Sequence, residues 1–364
     1  MLICEHCFKD EEVLSIIKSK DNYNKCSVCN SENVRVYDTD SDEELTAMFE
    51  ELLSIYTPSK SLPKCYPKSH TTLLKTELKY KWNIFNDIDE ACIQEILVSI
   101  CKDKYKYNND LFELSVGIKE KFDNDYLKDH SLLANNSWED FVKSLKYSNR
   151  FHTNHINLSL LERFCSFIVK TYYTNKIFYR CRISSDIEIS IDEMGAPPVK
   201  FTVDGRANAQ GIRCLYIADS IETSIYETRP RIHECVSVGK FKLLKDIKVV
   251  DLKKINRISP FIQGMDILEY SINKDHLNKI NTEMGKVMRS SDSKLDYIPT
   301  QYIADFVKNI SSNGEKLYAG IEYQSVLNRD GFNVAIFDPE LFKCQDLNLY
   351  KIENINYNKS LISN

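Results

Sequence analysis

Four cysteines near the start of the chain have the spacing of a metal site: Cys4-x2-Cys7, then eighteen residues, then Cys26-x2-Cys29. Two such knuckles close one tetrahedron of thiolates, the ligand set of a zinc ion. Four sulfur ligands leave no open coordination position, so this metal is expected to be structural and not to activate water. It would help fold a segment of about thirty residues, too short to bury a core of its own. His6, inside the first knuckle, reads as a surface residue. The other eight cysteines stand among apolar residues, as buried thiols do.

The remaining residues able to do chemistry lie in the second half. Arg180 and Arg182 follow the apolar run Ile177-Phe178, in a strand that sends successive side chains to opposite faces. Gly205-Arg206-Ala207-Asn208 places a cation on a turn. Cys214 to Ala218 reads as a short buried strand holding Tyr216, and Thr223 to Glu227 as the start of a helix. Strands are expected around Cys235 to Phe241 and Lys248 to Leu252. Pro299-Thr300-Gln301 opens a further helix, and Gly320 to Ser325 and Asn333 to Phe337 read as closing strands. The chain has no GxGxxG and no phosphate-cradling glycine loop ending in Lys-Ser or Lys-Thr, so the key residues of a Rossmann site or a nucleotide triphosphatase are missing.

The elements that must position these residues follow from composition and periodicity. The 364 residues carry 48 Lys+Arg against 53 Asp+Glu, a net charge of −5. That balance argues against a protein that coats nucleic acid or a membrane surface by charge. With 43% hydrophobic residues the composition is globular, and the length suits two or three domains. Of only ten glycines, Gly117 alone lies in the first half. Because glycine serves tight turns and weakens helices, a helical first half and a turn-rich, strand-containing second half are expected. No run approaches the ~20 apolar residues of a membrane span, and the start MLICEHCFKDEE turns acidic where a signal peptide is basic and then apolar; a soluble cytoplasmic protein is expected.

From about residue 40 to 173 the apolar residues recur at helical spacing. Ser41-Asp42-Glu43-Glu44 reads as a capping box ahead of Leu45, Met48, Phe49, Leu52 and Leu53. Asp87 to about Cys101 carries the stripe Ile93, Ile96, Leu97 and Ile100, Ser137 caps WEDFVKSLKY, and Asn157 opens LSLLERFCSFIVKTYY. Within this region Arg150 and His155, in SNRFHTNHI, resemble the Arg-x4-His ribonuclease motif of HEPN helical domains, although Phe151 stands where the motif is usually polar. After about Lys343 the chain reads as a polar terminus.

Five signatures in order resemble the RES domain family, named for its Arg, Glu and Ser: Tyr179-Arg180-Cys181-Arg182; Gly205-Arg206-Ala207-Asn208; Leu215-Tyr216-Ile217-Ala218 with Glu227 eleven residues after Tyr216; the Pro299-Thr300-Gln301 helix start; and Gly320-x2-Tyr323-x-Ser325. The resemblance spans about residues 171 to 345. The layout, with GAPP, GRANAQGI and TSIYETRP, resembles the subfamily in which a HEPN-type domain precedes the RES domain. It implies an α+β chain: a Cys4 zinc ribbon (1–37), an all-α HEPN-like domain (38–173), a mixed α/β RES domain similar to ADP-ribosyltransferases (174–345) and a polar tail (346–364). Many RES domains carry a Trp after the Gly-Arg pair where this chain has Ala207-Asn208, so the resemblance fixes charge placement better than pocket shape.

What the resemblance implies for function is an NAD-degrading enzyme of the bacterial toxin or phage-defence type, cleaving the nicotinamide-ribose bond by hydrolysis or phosphorolysis. NAD is then a consumed substrate and zinc the structural metal. Such cleavage develops an oxocarbenium-like cation beside a diphosphate that must be held, so it calls for fixed cations and a carboxylate near the ribose. Glu227, Arg180 and Ser325 are the implied catalytic residues. Arg206, Tyr216, Asn208, Gln301 and Arg182 are the implied NAD-binding set, with Cys4, Cys7, Cys26 and Cys29 on the metal. ADP-ribosyl transfer to a protein, an RNase acting through Arg150 and His155, and a non-catalytic scaffold are the alternatives. An antitoxin or other regulatory partner and self-association are expected; a membrane or nucleic-acid partner is not.

Overall fold

The computed structural model describes residues 1–184, 187, 189–286 and 293–355. The chain divides into two units: Met1–Asn135 with Arg257–Asp275, and Asn136–Asn256 with His276–Asn364.

In the first unit the cysteine knuckles sit on a small antiparallel sheet in which Val34–Asp38 lies between Leu2–Cys4 and Tyr23–Asn24. The helix Glu11–Ser19 is capped by Asp10, whose Oδ1 accepts the N–H groups of Glu12 and Val13 at 3.0 and 3.2 Å and whose helix buries Val13 and Ile17. Helices Glu44–Ser54, Leu74–Tyr80 and Glu90–Ile100 follow, and the last buries the expected stripe Ile93, Ile96, Leu97 and Ile100. Two expectations for this region are corrected. Ser41 forms no capping box: the chain turns back there, with the Ser41 N–H on the Asp38 carbonyl at 3.2 Å, and the helix starts at Glu44 behind Glu43, which makes no side-chain cap bond. Nor is the region all helix, because Thr57–Pro58, Ser115–Gly117 and Thr72–Leu73 form a three-stranded sheet. Gly117 shows why: a Cβ there would meet the Tyr66 ring at 2.7 to 2.8 Å, so the lone early glycine marks a close approach.

In the second unit eight strands make one sheet: β1 (Val169–Tyr172), β2 (Ile177–Ser184), β3 (Leu215–Ala218), β4 (Cys235–Leu243), β5 (Ile247–Asp251), β6 (Gly320–Gln324), β7 (Phe332–Ile336) and β8 (Phe342–Lys351). Their order is β8-β4-β2-β3-β7-β6-β5-β1, with β5 and β6 parallel and every other neighbouring pair antiparallel. Phe178, Leu215, Ile217, Phe241, Val249, Val334 and Ile336 fill the core against it. Helices α1 (Trp138–Tyr147), α2 (Leu158–Ser166), α3 (Ile221–Thr228) and α4 (Ile298–Asn309) belong to this unit. Ser137 caps α1 as expected, its Oγ accepting the Asp140 N–H at 3.1 Å while Asp140 accepts the Ser137 N–H.

Two further expectations are corrected here. The run after Asn157 is not one helix: α2 stops at Ser166 and Val169–Tyr172, in which Val169, Thr171 and Tyr172 are β-branched or aromatic, becomes a strand. The stretch from Lys343 to Lys351 is not merely a polar terminus either, since Phe342–Lys351 pairs along the whole of β4; residues 356–364 of the expected tail lie outside the described residues. Its polar look is that of an outermost strand with one wet face. Glu322 of β6 is fully buried and neutralised by Lys170 and Lys253, with the Tyr172 hydroxyl donating to it. Its neighbour Tyr323 points to the opposite face by the period of two, and there the cavity lies. No helix among the described residues is long and apolar enough to cross a membrane.

Candidate active site

Strands β2 and β3 share a single register pair, Tyr179 with Ala218, and then part. A cavity of about 500 Å³, within the range of small-molecule sites, lies where they diverge. Tyr179, Arg180 and Cys181 line it from β2, Tyr216 to Ala218 from β3, Glu227 to Arg229 from the end of α3, and Tyr323 and Asn333 from β6 and β7.

Arg180 spans the gap between the parting strands, donating from Nη1 to the Tyr216 carbonyl at 2.8 Å. Its Nε is buried and has no hydrogen-bond partner among the described residues, a donor that a ligand acceptor would satisfy. Burial, and Arg182 after it, push the guanidinium down to about 10, so it remains a cation at neutral pH.

Glu227 lies in the last turn of α3, not at the start of a helix. A carboxylate there faces the negative end of the helix dipole. Two donors compensate: Ser325 Oγ at 2.6 Å and Asn333 Nδ2 at 2.8 Å, both to Oε1. Ser325 is itself fixed by the Asn328 N–H at 3.1 Å, and Asn328 Nδ2 donates to Thr223 Oγ1 at 2.9 Å. Among the described residues only Oε1 is engaged, which leaves Oε2 to the cavity.

Arg206 reaches the cavity from its turn and lies 5.8 Å over the Tyr323 ring, with Nη1 and Nη2 donating to the carbonyls of Glu283 and Lys286 at 3.0 and 2.7 Å. The turn that carries it is tightly held. Tyr216 accepts the Ala207 N–H and donates to Asn208 Oδ1 at 2.6 Å, and Gln301 Nε2 donates to the carbonyls of Gly205 and Asn208, both at 2.9 Å. A Cβ on Gly205 would meet Asn208 Oδ1 and the Tyr216 hydroxyl at 2.6 Å, so only glycine fits.

Residues 177–355 match the family model of the RES domain. This segment is a RES domain. No curated protein and no solved structure matches the chain. RES domains as a class are associated with NAD-related toxin function.

Of the residues singled out from sequence, the RES cavity brings together Arg180, Arg206, Tyr216 and Glu227, with Ser325 directly behind the carboxylate. Arg182, Asn208 and Gln301 are not among its lining residues. Arg182 donates from Nη2 to the Gly195 carbonyl at 2.8 Å, and Asn208 and Gln301 line a smaller cavity of about 160 Å³ on the other side of the turn, together with Arg150. His155 is not in that lining, and its Nδ1 is buried without a partner among the described residues. Asn333 was not singled out from sequence; the available signal was a buried Asn in the otherwise apolar strand FNVAI. Arg229 also lines the cavity.

In the first unit the four Cys sulfurs lie within 4.8 Å of one another, with Cys4 to Cys29 at 3.3 Å, Cys7 to Cys26 at 3.8 Å and Cys4 to Cys7 at 3.9 Å. These are far longer than a disulfide and close to the ~3.8 Å edge of a tetrahedron with ~2.3 Å zinc–sulfur bonds. The donor set therefore fits one tetrahedral thiophilic metal ion.

Proposed function

We propose that the RES domain cleaves the bond between nicotinamide and ribose in NAD and passes the ADP-ribosyl group to water or inorganic phosphate. The observation that carries this reading is the Glu227 carboxylate, fixed through one oxygen beside a cavity whose other formal charges, among the described residues, are guanidiniums. As neutral nicotinamide leaves with the bonding electron pair, positive charge develops at the ribose anomeric carbon. The free Oε2 of Glu227 accepts a hydrogen bond from a ribose hydroxyl and stabilises that charge, while water or phosphate supplies the new C–O bond and loses a proton. Arg180 and Arg206 hold the diphosphate, where a planar guanidinium offers paired bonds that Lys cannot. Tyr216 keeps its hydroxyl in the turn and offers its ring to the nicotinamide or ribose. Asn208, Gln301 and Arg182 direct donors to backbone carbonyls, so we assign them to shaping the wall of the site and not to touching NAD. The test is incubation of the full chain with NAD followed by product identification.

The fixing of Glu227 gives a milder, separable expectation. Asn333→Ala removes one of the two donors on Oε1 and should lower NAD turnover by about tenfold, the scale of one hydrogen bond to a charged group, with the fold intact by circular dichroism. Asn333→Asp would set a second carboxylate against the first and should lose more. Turnover equal to the wild type in both variants would remove Asn333 from the machinery.

We also propose that the four N-terminal cysteines hold structural zinc. Elemental analysis of purified protein should find about one zinc per chain, and a strong chelator should release it with loss of protease resistance confined to the first forty residues or so. Metal-free protein that is equally protease-resistant there would contradict this.

A further inference from the structure

A second cavity, of about 530 Å³, lies in the same unit and shares no lining residue with the one around Glu227. The two stand at opposite ends of the β6–β7 hairpin. Tyr323 and Asn333 line the first near the connecting turn, whereas Ala319, just before β6, and Phe337, just after β7, line the second. Backbone bonds stitch this second wall: the Ala319 N–H donates to the Lys248 carbonyl at 2.8 Å and the Phe337 N–H to the Ala319 carbonyl at 2.9 Å.

Charge sets this cavity apart. Lys245, Lys248, Lys308 and Lys316 all line it, in a chain whose net charge is −5. The carboxylates in its lining are turned to other donors: Asp246 Oδ1 accepts both the N–H and the hydroxyl of Thr174 at 2.7 Å, and Asp338 Oδ1 accepts the Glu340 N–H at 3.1 Å. Among the described residues none of the four lysines forms an ion pair. Lys316 Nζ donates to the Asn309 carbonyl at 3.3 Å and to its Oδ1 at 3.0 Å, neutral partners that fix the ammonium and leave its charge. Four like charges on one concavity repel one another and focus a positive potential there, a cost that a bound anion removes.

The same wall carries rings. Tyr318 is buried and Phe337 half-buried, and both line the cavity. Apolar rings beside converging ammoniums suit a flat aromatic group joined to phosphates, which Lys holds as a point charge.

We infer that this cavity is a second ligand site, taking a phosphorylated nucleotide with its base against Phe337 and Tyr318 and its phosphates among the lysines. The inference stands apart from the NAD reading, since no residue serves both cavities.

The test is photolysis of 8-azido-ADP with the full chain, the labelled peptides being mapped by mass spectrometry. Label is expected on residues 316–319 or 337–341. ADP should compete for it, and adenosine or pyrophosphate, each offering half of the ligand, about tenfold or more less well. Lys248 and Lys308 make no side-chain hydrogen bond or ion pair among the described residues, so replacing both by alanine should leave Tm unchanged. The double variant should nevertheless lose that labelling about tenfold or more at low probe concentration. Label confined to the Glu227 cavity, or label on the second cavity that survives the double variant, overturns the inference. Pyrophosphate competing as well as ADP overturns it too, because the cavity then takes an anion and no base. Label in the Glu227 cavity besides is what the NAD reading expects, and its absence counts against that reading alone.

Discussion

Replacing Glu227 by alanine should lower NAD turnover by about two to three powers of ten while leaving the fold intact. The size follows from the stabilisation at stake, since one well-placed electrostatic contact to a transition state contributes about 3 to 4 kcal/mol, and each 1.4 kcal/mol is tenfold in rate. The contact forms mainly as charge develops on the ribose, so the loss belongs in kcat, with affinity for carba-NAD, an analogue that cannot be cleaved, changing much less. The structure makes the substitution mild for stability. Glu227 sits at the unfavourable end of α3 and lines the cavity, as does its donor Asn333, so water can take the place of the lost oxygen there. Turnover within a few-fold of the wild type would show that the carboxylate is a structural acceptor only.

Arg206→Ala should act on the other kinetic constant, weakening NAD binding by about a hundredfold. The guanidinium is placed before any ligand arrives, by carbonyls of Glu283 and Lys286 on one side and the Tyr323 ring on the other. Preorganisation of this kind gives binding strength that a mobile cation does not. Arg206→Lys should rescue little, because an ammonium cannot bridge two carbonyls and a phosphate from one fixed plane. The alanine variant leaves the turn itself intact, since Tyr216 and Gln301 hold Ala207, Asn208 and Gly205 by bonds that do not involve Arg206. A raised KM with near-normal kcat is the expected signature, whereas an unchanged KM would place the diphosphate elsewhere.

The charged centre of this site was legible in the order of residues along the chain because each member sits in a short, distinctive setting: Arg180 ends an apolar run, Arg206 follows a turn glycine, and Ser325 closes a glycine-led strand. What joins them was not legible. Asn333 reaches Glu227 only because β7 lies between β3 and β6, a pairing that no local pattern encodes. Nothing in Thr228-Arg229-Pro230 announces a left-handed residue at a helix end. The bonds that Asn208 and Gln301 make to backbone carbonyls around the turn were not legible either, because they depend on how the turn folds back on itself and on where the Gln301 helix lies.

Amphipathic helices with strong caps, such as Trp138–Tyr147 and Leu158–Ser166, announced themselves, because burying one stripe fixes both period and phase. Val169–Tyr172 was absorbed into the preceding helix because a four-residue strand after an apolar helix offers too few residues to show a change of period. Phe342–Lys351 was missed for the opposite reason: a border strand presents mostly polar side chains, and its existence depends on β4 being there to pair with. The glycine imbalance pointed correctly to a strand-rich second half. Its early exception, Gly117, marks a place where a ring packs onto the backbone of a strand within the otherwise helical first half.

Product identification tests most directly whether the Glu227 cavity consumes NAD. Full-length protein is incubated with NAD, with and without inorganic phosphate, and the mixture is resolved by mass spectrometry beside the Glu227→Ala variant. The wild type should yield free nicotinamide together with ADP-ribose, or its phosphorylated form when phosphate is present, and the variant almost none of either. Intact NAD recovered from the wild type, or equal product from both proteins, would contradict this.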